Sequence, residues 1–271
     1  MAKDSKRWRI APGKGVDLAK LDTGSTKGAP GDEEATEATF PELWADLHDL
    51  QERLFAESKR SLLVVLQAMD AGGKDGTIEH VFKGMNPQGV RVASFKVPSE
   101  EERAHDFLWR IHQQVPRAGE IGVFNRSHYE DVLVVRVHDI VPKEVWKARY
   151  EHIRAFEQGL VDGGTTIVKL YLHISKDEQA ERLQARLDDP SKHWKFRVGD
   201  LAERERWDDY RAAFEDAIAK TSTAEAPWYV VPADHKWYRN WAVLRILTET
   251  LEAMDPRFPP PEEDLASVVI P

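Results

Sequence analysis

The sequence contains no cysteine among its 271 residues. This absence excludes disulfide bonds, thiolate metal sites and cysteine nucleophiles, and it is consistent with a cytoplasmic protein. The sequence also lacks any apolar run of about 18 residues, the length that a transmembrane helix needs. Residues 1–10 are basic but contain no apolar signal core, so we expect no secretion. We therefore expect a cytoplasmic protein that does not act at a membrane.

Positive charge is the scarcer sign, because 38 Lys and Arg residues face 47 Asp and Glu residues, for a formal net charge of −9. A general nucleic-acid-binding protein is usually basic, so we expect no nucleic-acid partner. A polyanionic ligand would have to bind local basic clusters instead. The length allows one large α/β domain or two small ones.

The most informative stretch runs from Leu62 to Ile78. Leu62–Leu66 is apolar and partly β-branched, which is typical of a buried parallel strand. Small residues, Lys74 and a helical pattern follow, which is the order of a phosphate-binding loop. Inward-facing N–H groups and the helix N-terminus would hold the phosphate, and the lysine would add a positive charge. The predicted phosphate-binding residues of the loop are Ala71, Gly72, Gly73, Asp75, Gly76 and Thr77.

This loop departs from the usual pattern. The usual pattern is Gly, four residues, Gly-Lys, then Ser or Thr. Here Ala68 replaces the first glycine and Asp75 replaces the serine or threonine, so Thr77 is the candidate for the role of the missing hydroxyl. The alternative is a glycine turn with a solvated Lys74. Asp70 also has two interpretations: it holds Mg²⁺ or orients a phosphate acceptor, or it makes a local turn hydrogen bond.

A second polar cluster follows the predicted strand Ile121–Phe124. Ligands of open α/β sheets lie at the carboxyl ends of the strands, so these side chains are expected to complete the site. Acidic residues here can hold Mg²⁺, and Arg126 can stabilise a phosphoryl group. The alternative is a salt-bridged loop. The cluster comprises Asn125, Arg126, Ser127, Glu130 and Asp131.

Residues 182–197 form a local basic segment in an acidic protein. It is interrupted at Asp189-Pro190-Ser191, and a mobile lid that closes over phosphates has this composition. A solvated helix end is the alternative. The basic residues of the segment are Arg182, Arg186, Lys192, Lys195 and Arg197.

About five strands alternate with helices, which implies a parallel sheet covered on both faces. One helix is predicted to begin at Ser99 with a capping box and to bury Phe107, Leu108 and Ile111. Arg110 on this helix is a candidate phosphate ligand or a solvated arginine. The other predicted strands are 90–95, 166–174 and 228–231, and the other helices begin near 41, 74, 142, 176, 207 and 237.

We predict an N-terminal arm at residues 1–40, a main domain at 41–255 with a lid at about 178–205, and an irregular tail at 256–271. The arm is rich in Gly, Pro, Asp, Glu, Ser and Thr, so it is either partly disordered or packed on a neighbouring subunit. Trp8 and Ile10 are its candidate anchors.

Taken together, the motifs of residues 50–254 resemble the type-2 polyphosphate kinases. The resemblance implies a three-layer α/β/α P-loop kinase fold with a central parallel five-stranded sheet and a helical lid. It implies reversible transfer of a phosphoryl group from inorganic polyphosphate to AMP or ADP with Mg²⁺, for which Mn²⁺ can substitute, in a homo-oligomer (dimer or tetramer). The motifs are Gln67–Thr77, Phe95–Pro98, Phe107–Arg110, Gly122–Asp131 and Asp189–Lys195.

The resemblance also implies residue roles. Many members have aspartate where this chain has Asn125, which cannot be an anionic metal ligand, so that role is expected to shift to Asp70 or Asp131. The combination resembles the subgroup called class III, whose members accept both AMP and ADP. The implied catalytic residues are Asp70, Lys74 and Arg126; the implied polyphosphate-binding residues are Arg182, Arg186, Lys192 and Lys195; the implied nucleotide-binding residues are Lys96, Arg110, Asn125, Glu130 and Asp131.

Two other functions stay open at this point. An ATP-dependent nucleotide kinase would share the fold, although the basic segment 182–197 is larger than one ATP tail needs. A non-catalytic nucleotide-binding protein would keep its function when Asp70 and Lys74 are replaced.

Overall fold

The core of the structure, a computed structural model, is a sheet of five parallel strands in the order β2-β3-β1-β4-β5. The structure describes residues 4–261 together with residues 265, 268 and 270. The predicted α/β class and five-stranded parallel sheet are therefore confirmed. The strands are β1 (Ser61–Ala68), β2 (Val90–Ser94), β3 (Ile121–Asn125), β4 (Thr165–His173) and β5 (Trp228–Pro232).

Strand β1 lies at the centre of the sheet, and all of its residues are buried. Both faces of this strand are covered, which explains its continuous apolar sequence. Leu66 pairs with Asn125 of β3, and Ala68 pairs with Leu172 of β4. The carboxyl ends of β1 and β3 therefore meet at one edge of the sheet, where the two predicted site clusters begin.

Helices cover both faces of the sheet, so the structure has three layers, helix, sheet and helix. The helices are α1 (Glu33–Glu37), α2 (Phe40–Glu57), α3 (Lys74–Val81), α4 (Glu100–Ala104), α5 (Trp109–His112), α6 (Val134–Val137), α7 (Lys143–Asp162), α8 (Lys176–Asp188), α9 (Gly199–Glu205), α10 (Trp207–Thr221) and α11 (Lys236–Met254). Helix α11 packs against α1, α2 and α3, and α7 packs against α6 and α10. Among the described helices, none combines the length and apolar character that crossing a bilayer requires.

The single helix predicted from Ser99 through Ile111 is wrong, because the structure has two short helices there. Ser99 does cap α4, and its hydroxyl accepts a hydrogen bond from the Glu102 N–H at 3.1 Å. The helix ends at Ala104, and the Asp106 carboxylate then accepts a hydrogen bond from the Leu108 N–H at 3.0 Å. Such a side-chain bond to the backbone competes with helix continuation.

The described part of the N-terminal arm packs on its own chain, so the alternative of partial disorder does not describe it. Trp8 is 4% exposed. Its edge meets Tyr238 and Trp241 of α11. The Ile10 N–H donates to the Trp228 carbonyl at 2.8 Å, and the Val230 N–H donates to the Trp8 carbonyl at 2.9 Å. The arm thus covers the edge of β5, a strand that would otherwise expose unpaired backbone groups.

At the other end of the chain, residues 256–261 contain no helix or strand. Much of the predicted irregular tail, including residues 262–264, lies outside the described residues, as do residues 1–3 of the arm.

Candidate active site

The predicted strand, small-residue loop and helix are present between β1 and α3. Ala71 and Gly73 adopt left-handed backbone angles, with φ of 58° and 96°. The Gly72 N–H donates to the Met69 carbonyl at 2.9 Å. A Cβ added at Gly72 would lie 2.5 Å from the Ala68 Cβ, so the tight turn excludes larger residues. Gly73 is the N-cap of α3, and the first N–H groups of that helix are available to an anion.

Lys74 folds back over this loop rather than extending into solvent. Its Nζ donates to the Ala68 carbonyl at 3.3 Å. Burial lowers the pKa of the Lys74 ammonium, the nearby Arg126 lowers it further, and the carboxylates of Asp70 and Glu130 oppose the change. The alternative of a solvated lysine beside a glycine turn does not describe this arrangement.

The two predicted clusters meet through an ion pair between Arg126 and Asp70. Arg126 Nη2 donates to Asp70 Oδ1 at 2.9 Å, and Arg126 Nη1 lies 4.0 Å from Glu130 Oε2. Asp70 Oδ2 makes no hydrogen bond to a described residue, and its carboxylate makes no turn bond to the loop backbone. Burial raises the pKa of Glu130, and Arg126 and Lys74 oppose the rise. The edge of the sheet therefore holds two cations and two carboxylates within one small space.

Asp75, which stands where the usual loop has serine or threonine, is also hydrogen-bonded across the edge of the sheet. Asn125 Nδ2 donates to Asp75 Oδ1 at 2.6 Å, which links the end of β3 to the first turn of α3. The Thr77 hydroxyl is fully buried and donates to the Gly73 carbonyl of its own helix at 3.0 Å. The expected role of the Thr77 hydroxyl stays a prediction, because this hydrogen bond uses only the hydroxyl proton.

Arg182 is hydrogen-bonded to the phosphate loop and is not a freely exposed side chain of the predicted lid. Its Nη1 donates to the Ala71 carbonyl at 3.1 Å, and its Nη2 donates to the Ala233 carbonyl at 2.6 Å. Its Nε donates to Glu178 at 2.6 Å, so every nitrogen has a protein acceptor. The side chain joins α8 to the loop and to the segment after β5.

Arg186, Lys192 and Lys195 also belong to the lid segment, residues 178–205, and their contacts lie within that segment. Arg186 Nη1 lies 3.9 Å from Asp200, and Lys192 pairs with Asp189 at 2.7 Å. Lys195 lies over the Trp194 ring at 4.9 Å. The segment consists of α8, one 3-10 turn (Pro190–Lys195) and α9, and its two lysines are exposed to solvent.

Asp131 belongs to a separate ion pair. Arg149 Nη1 donates to Asp131 Oδ1 at 3.0 Å. Arg110 is 7% exposed and donates to the Lys96 carbonyl at 2.8 Å, so the alternative of a solvated Arg110 is wrong. The member of the acidic pair that faces Arg126 is Glu130. Within the described part of the chain, no group of three or more His, Cys, Asp or Glu side chains is arranged to hold a metal ion.

A family model described as Polyphosphate kinase 2 (PPK2) matches residues 31–259. The chain belongs to the polyphosphate kinase 2 family. The AMP/ADP-polyphosphate phosphotransferase of Meiothermus ruber is 57% identical over 265 residues, which are 98% of this chain and 99% of that protein. The ADP-polyphosphate phosphotransferase of Rhodopseudomonas palustris is 45% identical over 267 residues, 94% of this chain and 92% of that protein.

A solved structure of the polyphosphate kinase 2 family agrees with these relatives. The crystal structure of Polyphosphate Kinase 2 from Arthrobacter aurescens TC1 matches with a TM-score of 0.94 and 49% identity, covering 97% of this chain and 94% of that chain. The resemblance inferred from the motifs is therefore confirmed.

Several residues of this family member's site carry no sequence signal that would have identified them. Gln179 Nε2 donates to the Asp70 carbonyl at 2.8 Å, and Arg204 donates to the Gln179 Oε1 at 3.1 Å. A cavity of about 330 Å³ opens beside Asp70. Its apolar wall comprises Met69, Leu133, Val134, Trp207 and Phe214, and its polar edge comprises Arg126, Glu130, Arg197, Asp200, Glu203 and Tyr210.

Replacing Asp131 by asparagine is expected to change how stability depends on pH. Burial raises the pKa of Asp131 to about 6, against the opposing effect of Arg149. In the unfolded chain this pKa is about 3.9. The folded protein therefore binds the extra proton between about pH 4 and pH 6, and the stability that Asp131 contributes is lost as pH rises through that window.

The free energy of unfolding of the wild type should consequently fall, relative to Asp131→Asn, by about 1 kcal/mol between pH 5 and pH 7.5. Urea denaturation at both pH values measures this difference. Asp46→Asn, at an exposed position of α2, is the control and should show no such change. The prediction is contradicted if the free energy of unfolding of the wild type, minus that of Asp131→Asn, stays constant or rises between pH 5 and pH 7.5.

Proposed function

We propose that this protein transfers a phosphoryl group reversibly from inorganic polyphosphate to AMP and ADP, in the manner of class III. The observation that carries the proposal is the Arg126–Asp70 ion pair of 2.9 Å beside Lys74 at the phosphate loop. The relative from Meiothermus ruber is named for both AMP and ADP, which supports the dual acceptor range.

Phosphoryl transfer is catalysed mainly by positioning and charge neutralisation. In this proposal the loop N–H groups and Lys74 hold the transferred phosphoryl group, and Arg126 neutralises charge that develops on its oxygens. Asp70 lines the cavity beside this loop, so it orients the acceptor phosphate. Gln179 holds the Asp70 backbone through the 2.8 Å hydrogen bond and keeps the carboxylate in place.

The donor set fits Mg²⁺ that is shared with the substrate. Mg²⁺ usually binds one or two carboxylates plus substrate phosphates, with water completing its octahedron. One oxygen of Asp70 has no partner among the residues that the structure describes, whereas Asp131 is bound to Arg149. We therefore place the metal at Asp70 and not at Asp131, with Mn²⁺ as an alternative ion. When bound, the metal neutralises phosphate charge.

The cavity beside Asp70 is the proposed site of the acceptor nucleotide. Its apolar wall, which includes Trp207 and Phe214, suits the base, and its polar edge leads toward Asp70 and Arg126. Glu130 is the predicted nucleotide contact that lines this cavity. Lys96, Arg110 and Asn125 support the site from behind, through the hydrogen bonds that Arg110 and Asn125 make.

The lid segment is the proposed track for polyphosphate. Polyphosphate has no base to recognise, so basic side chains are sufficient for its binding. Lys192, Lys195 and Arg197 lie on this segment, and Arg197 also lines the cavity. Binding to such exposed charges should weaken as the salt concentration rises. Family membership is also the basis for proposing a cytoplasmic homo-oligomer.

The test is phosphoryl transfer from polyphosphate to AMP and to ADP in separate reactions with Mg²⁺ and without ATP. We expect product from both acceptors, and we expect Asp70→Asn to lower kcat by about 10²-fold or more, since it removes a charge that contacts the reacting groups. Asp46→Asn is the matched control and should retain wild-type activity.

Three other outcomes would change the proposal. Product from ADP alone would remove the dual acceptor range. Transfer from ATP but not from polyphosphate would favour the ATP-dependent nucleotide kinase. Full activity in Asp70→Asn would remove Asp70 from the chemistry.

A further inference from the structure

Arg239 is a buried arginine that lies beside the phosphate loop. It lies in the first turn of α11, and 3% of the residue is exposed. Burial, together with the neighbouring cation Arg182, lowers the pKa of Arg239 to about 10. The guanidinium is nevertheless charged at neutral pH. Arginines are rarely this buried unless they are paired, because dehydrating a charge is costly.

The partners that the protein gives Arg239 do not neutralise this charge. Its Nε and Nη2 both donate to the side-chain oxygen of Asn240, at 3.1 and 2.8 Å. That amide is neutral. No described carboxylate acts on the guanidinium, whereas Arg182 beside it has Glu178 at 2.6 Å. The Nη1 of Arg239 makes no hydrogen bond to any residue that the structure describes.

The guanidinium lies directly against the phosphate loop. A Cβ added at Gly73 would be 2.0 Å from Arg239 Nη1 and 3.4 Å from Arg182 Nη1, so two cations flank this glycine. A Cβ added at Gly76 would be 3.7 Å from Arg239 Nη2. The nitrogen without an acceptor is therefore the one nearest the turn into α3, where helix N–H groups already favour an anion.

An apolar side chain could pack behind Gly73 without dehydrating a charge, so packing alone does not explain an arginine here. The charge is compensated if the anion arrives with the ligand. Arginine suits that role because its guanidinium matches the geometry of phosphate oxygens.

We propose that Arg239 is a phosphate-binding residue that acts beside the loop and that its Nη1 contacts an oxygen of a bound phosphoanhydride. This inference rests on the proposed function, since polyphosphate and the nucleotide each carry such a group. The two sources share one chemistry, and separate binding measurements distinguish them.

The experiment is isothermal titration calorimetry on the full chain, with tripolyphosphate and with ADP as separate ligands and no second substrate. We expect Arg239→Gln to weaken the binding of at least one ligand by about 10- to 100-fold, the effect of losing a hydrogen bond to a charged group. Arg239→Lys retains the charge and should lose less affinity. Arg245→Gln is the control, because Arg245 lies on the same helix but pairs with Glu249 at 3.1 Å.

The pattern of loss identifies the source of the phosphate. A loss confined to tripolyphosphate assigns Arg239 to the donor, a loss confined to ADP assigns it to the nucleotide, and a loss of both assigns it to a shared position. Each of these supports the inference. Wild-type affinity for both ligands in a folded Arg239→Gln overturns it, and so does a wild type that binds neither ligand.

A purely structural role predicts a different result. In that case Arg239→Lys and Arg239→Gln would lose affinity equally and both would melt at lower temperature without ligand, which overturns the inference. If Arg239→Gln does not fold, Arg239→Met is judged by the same criteria. Because no transfer takes place in these titrations, a chain that transfers no phosphate but loses tripolyphosphate binding in the variant still supports the inference.

Discussion

Replacing Lys74 by alanine is expected to lower kcat for transfer from polyphosphate by about 10²- to 10³-fold, the range seen when one preorganised charge-stabilising donor is removed. Lys74 is the ammonium that folds over the phosphate loop, with its Nζ 3.3 Å from the Ala68 carbonyl. Its charge is felt strongly because the position is partly dehydrated. Arg126 approaches from the opposite cluster and cannot replace it, since it is bound to Asp70.

Steady-state kinetics with polyphosphate and ADP measure this effect. Lys83→Ala is the matched control, because Lys83 is exposed just after α3 and should leave kcat unchanged. Lys74→Arg keeps the charge but changes its position, and should recover only part of the rate. A Lys74→Ala variant with at least a tenth of wild-type kcat would show that the loop holds the phosphoryl group without the lysine.

The elements that could be predicted are those whose signal is local. Strand β1 is recognisable because a central parallel strand is buried on both faces, and all of its residues are indeed buried. The phosphate loop is recognisable because a tight turn requires small residues, and these follow one another in the sequence. The meeting of Asp70 and Arg126 followed from a general rule, that side chains after parallel strands share one edge of the sheet.

What could not be predicted depends on partners that are distant in the sequence. Arg239 lies more than 160 residues after Gly73, and nothing in the pattern of α11 separates it from an exposed helical arginine. Glu130 and Asp131 are adjacent, yet only the turn after Ser127 decides that Glu130 faces Arg126 and Asp131 faces Arg149. The break at Asp106 was hidden because a strong capping box at Ser99 favours a helix whatever its length.

A buried cluster around Lys169 could not be predicted either, because its members are distant in the sequence. Lys169 is fully buried within β4, a strand in which eight of the nine residues are buried. Its ammonium donates to Glu157 at 2.6 Å, to the Thr221 carbonyl at 2.7 Å and to the Tyr129 hydroxyl at 3.1 Å. Burial would raise the pKa of Glu157, but Lys169 and His128 bring it below its ordinary value. The cluster is thus a dehydrated ion pair with all three ammonium protons used.

Replacing Lys169 by methionine is expected to lower the free energy of unfolding by about 3–5 kcal/mol, the cost of leaving one buried charge unpaired. The Glu157 carboxylate would stay buried, and the Thr221 carbonyl would lose its donor. Urea denaturation followed by circular dichroism measures the change. The control is Lys220→Met, whose side chain is 43% exposed and pairs with Asp216 at 2.8 Å, and which should change stability by about 1 kcal/mol or less.

The double variant Lys169→Met with Glu157→Leu separates the two contributions to this loss. If the unpaired carboxylate causes it, removing that carboxylate should restore much of the stability, because apolar side chains can replace a buried ion pair at little cost. A double variant as unstable as the sum of the single variants would instead mean that packing dominates. Tyr129 and His128 belong to the turn that carries Glu130, so the same cluster holds one wall of the active site. Lys169→Met should therefore also lower kcat at temperatures where it remains folded, whereas Lys220→Met should not.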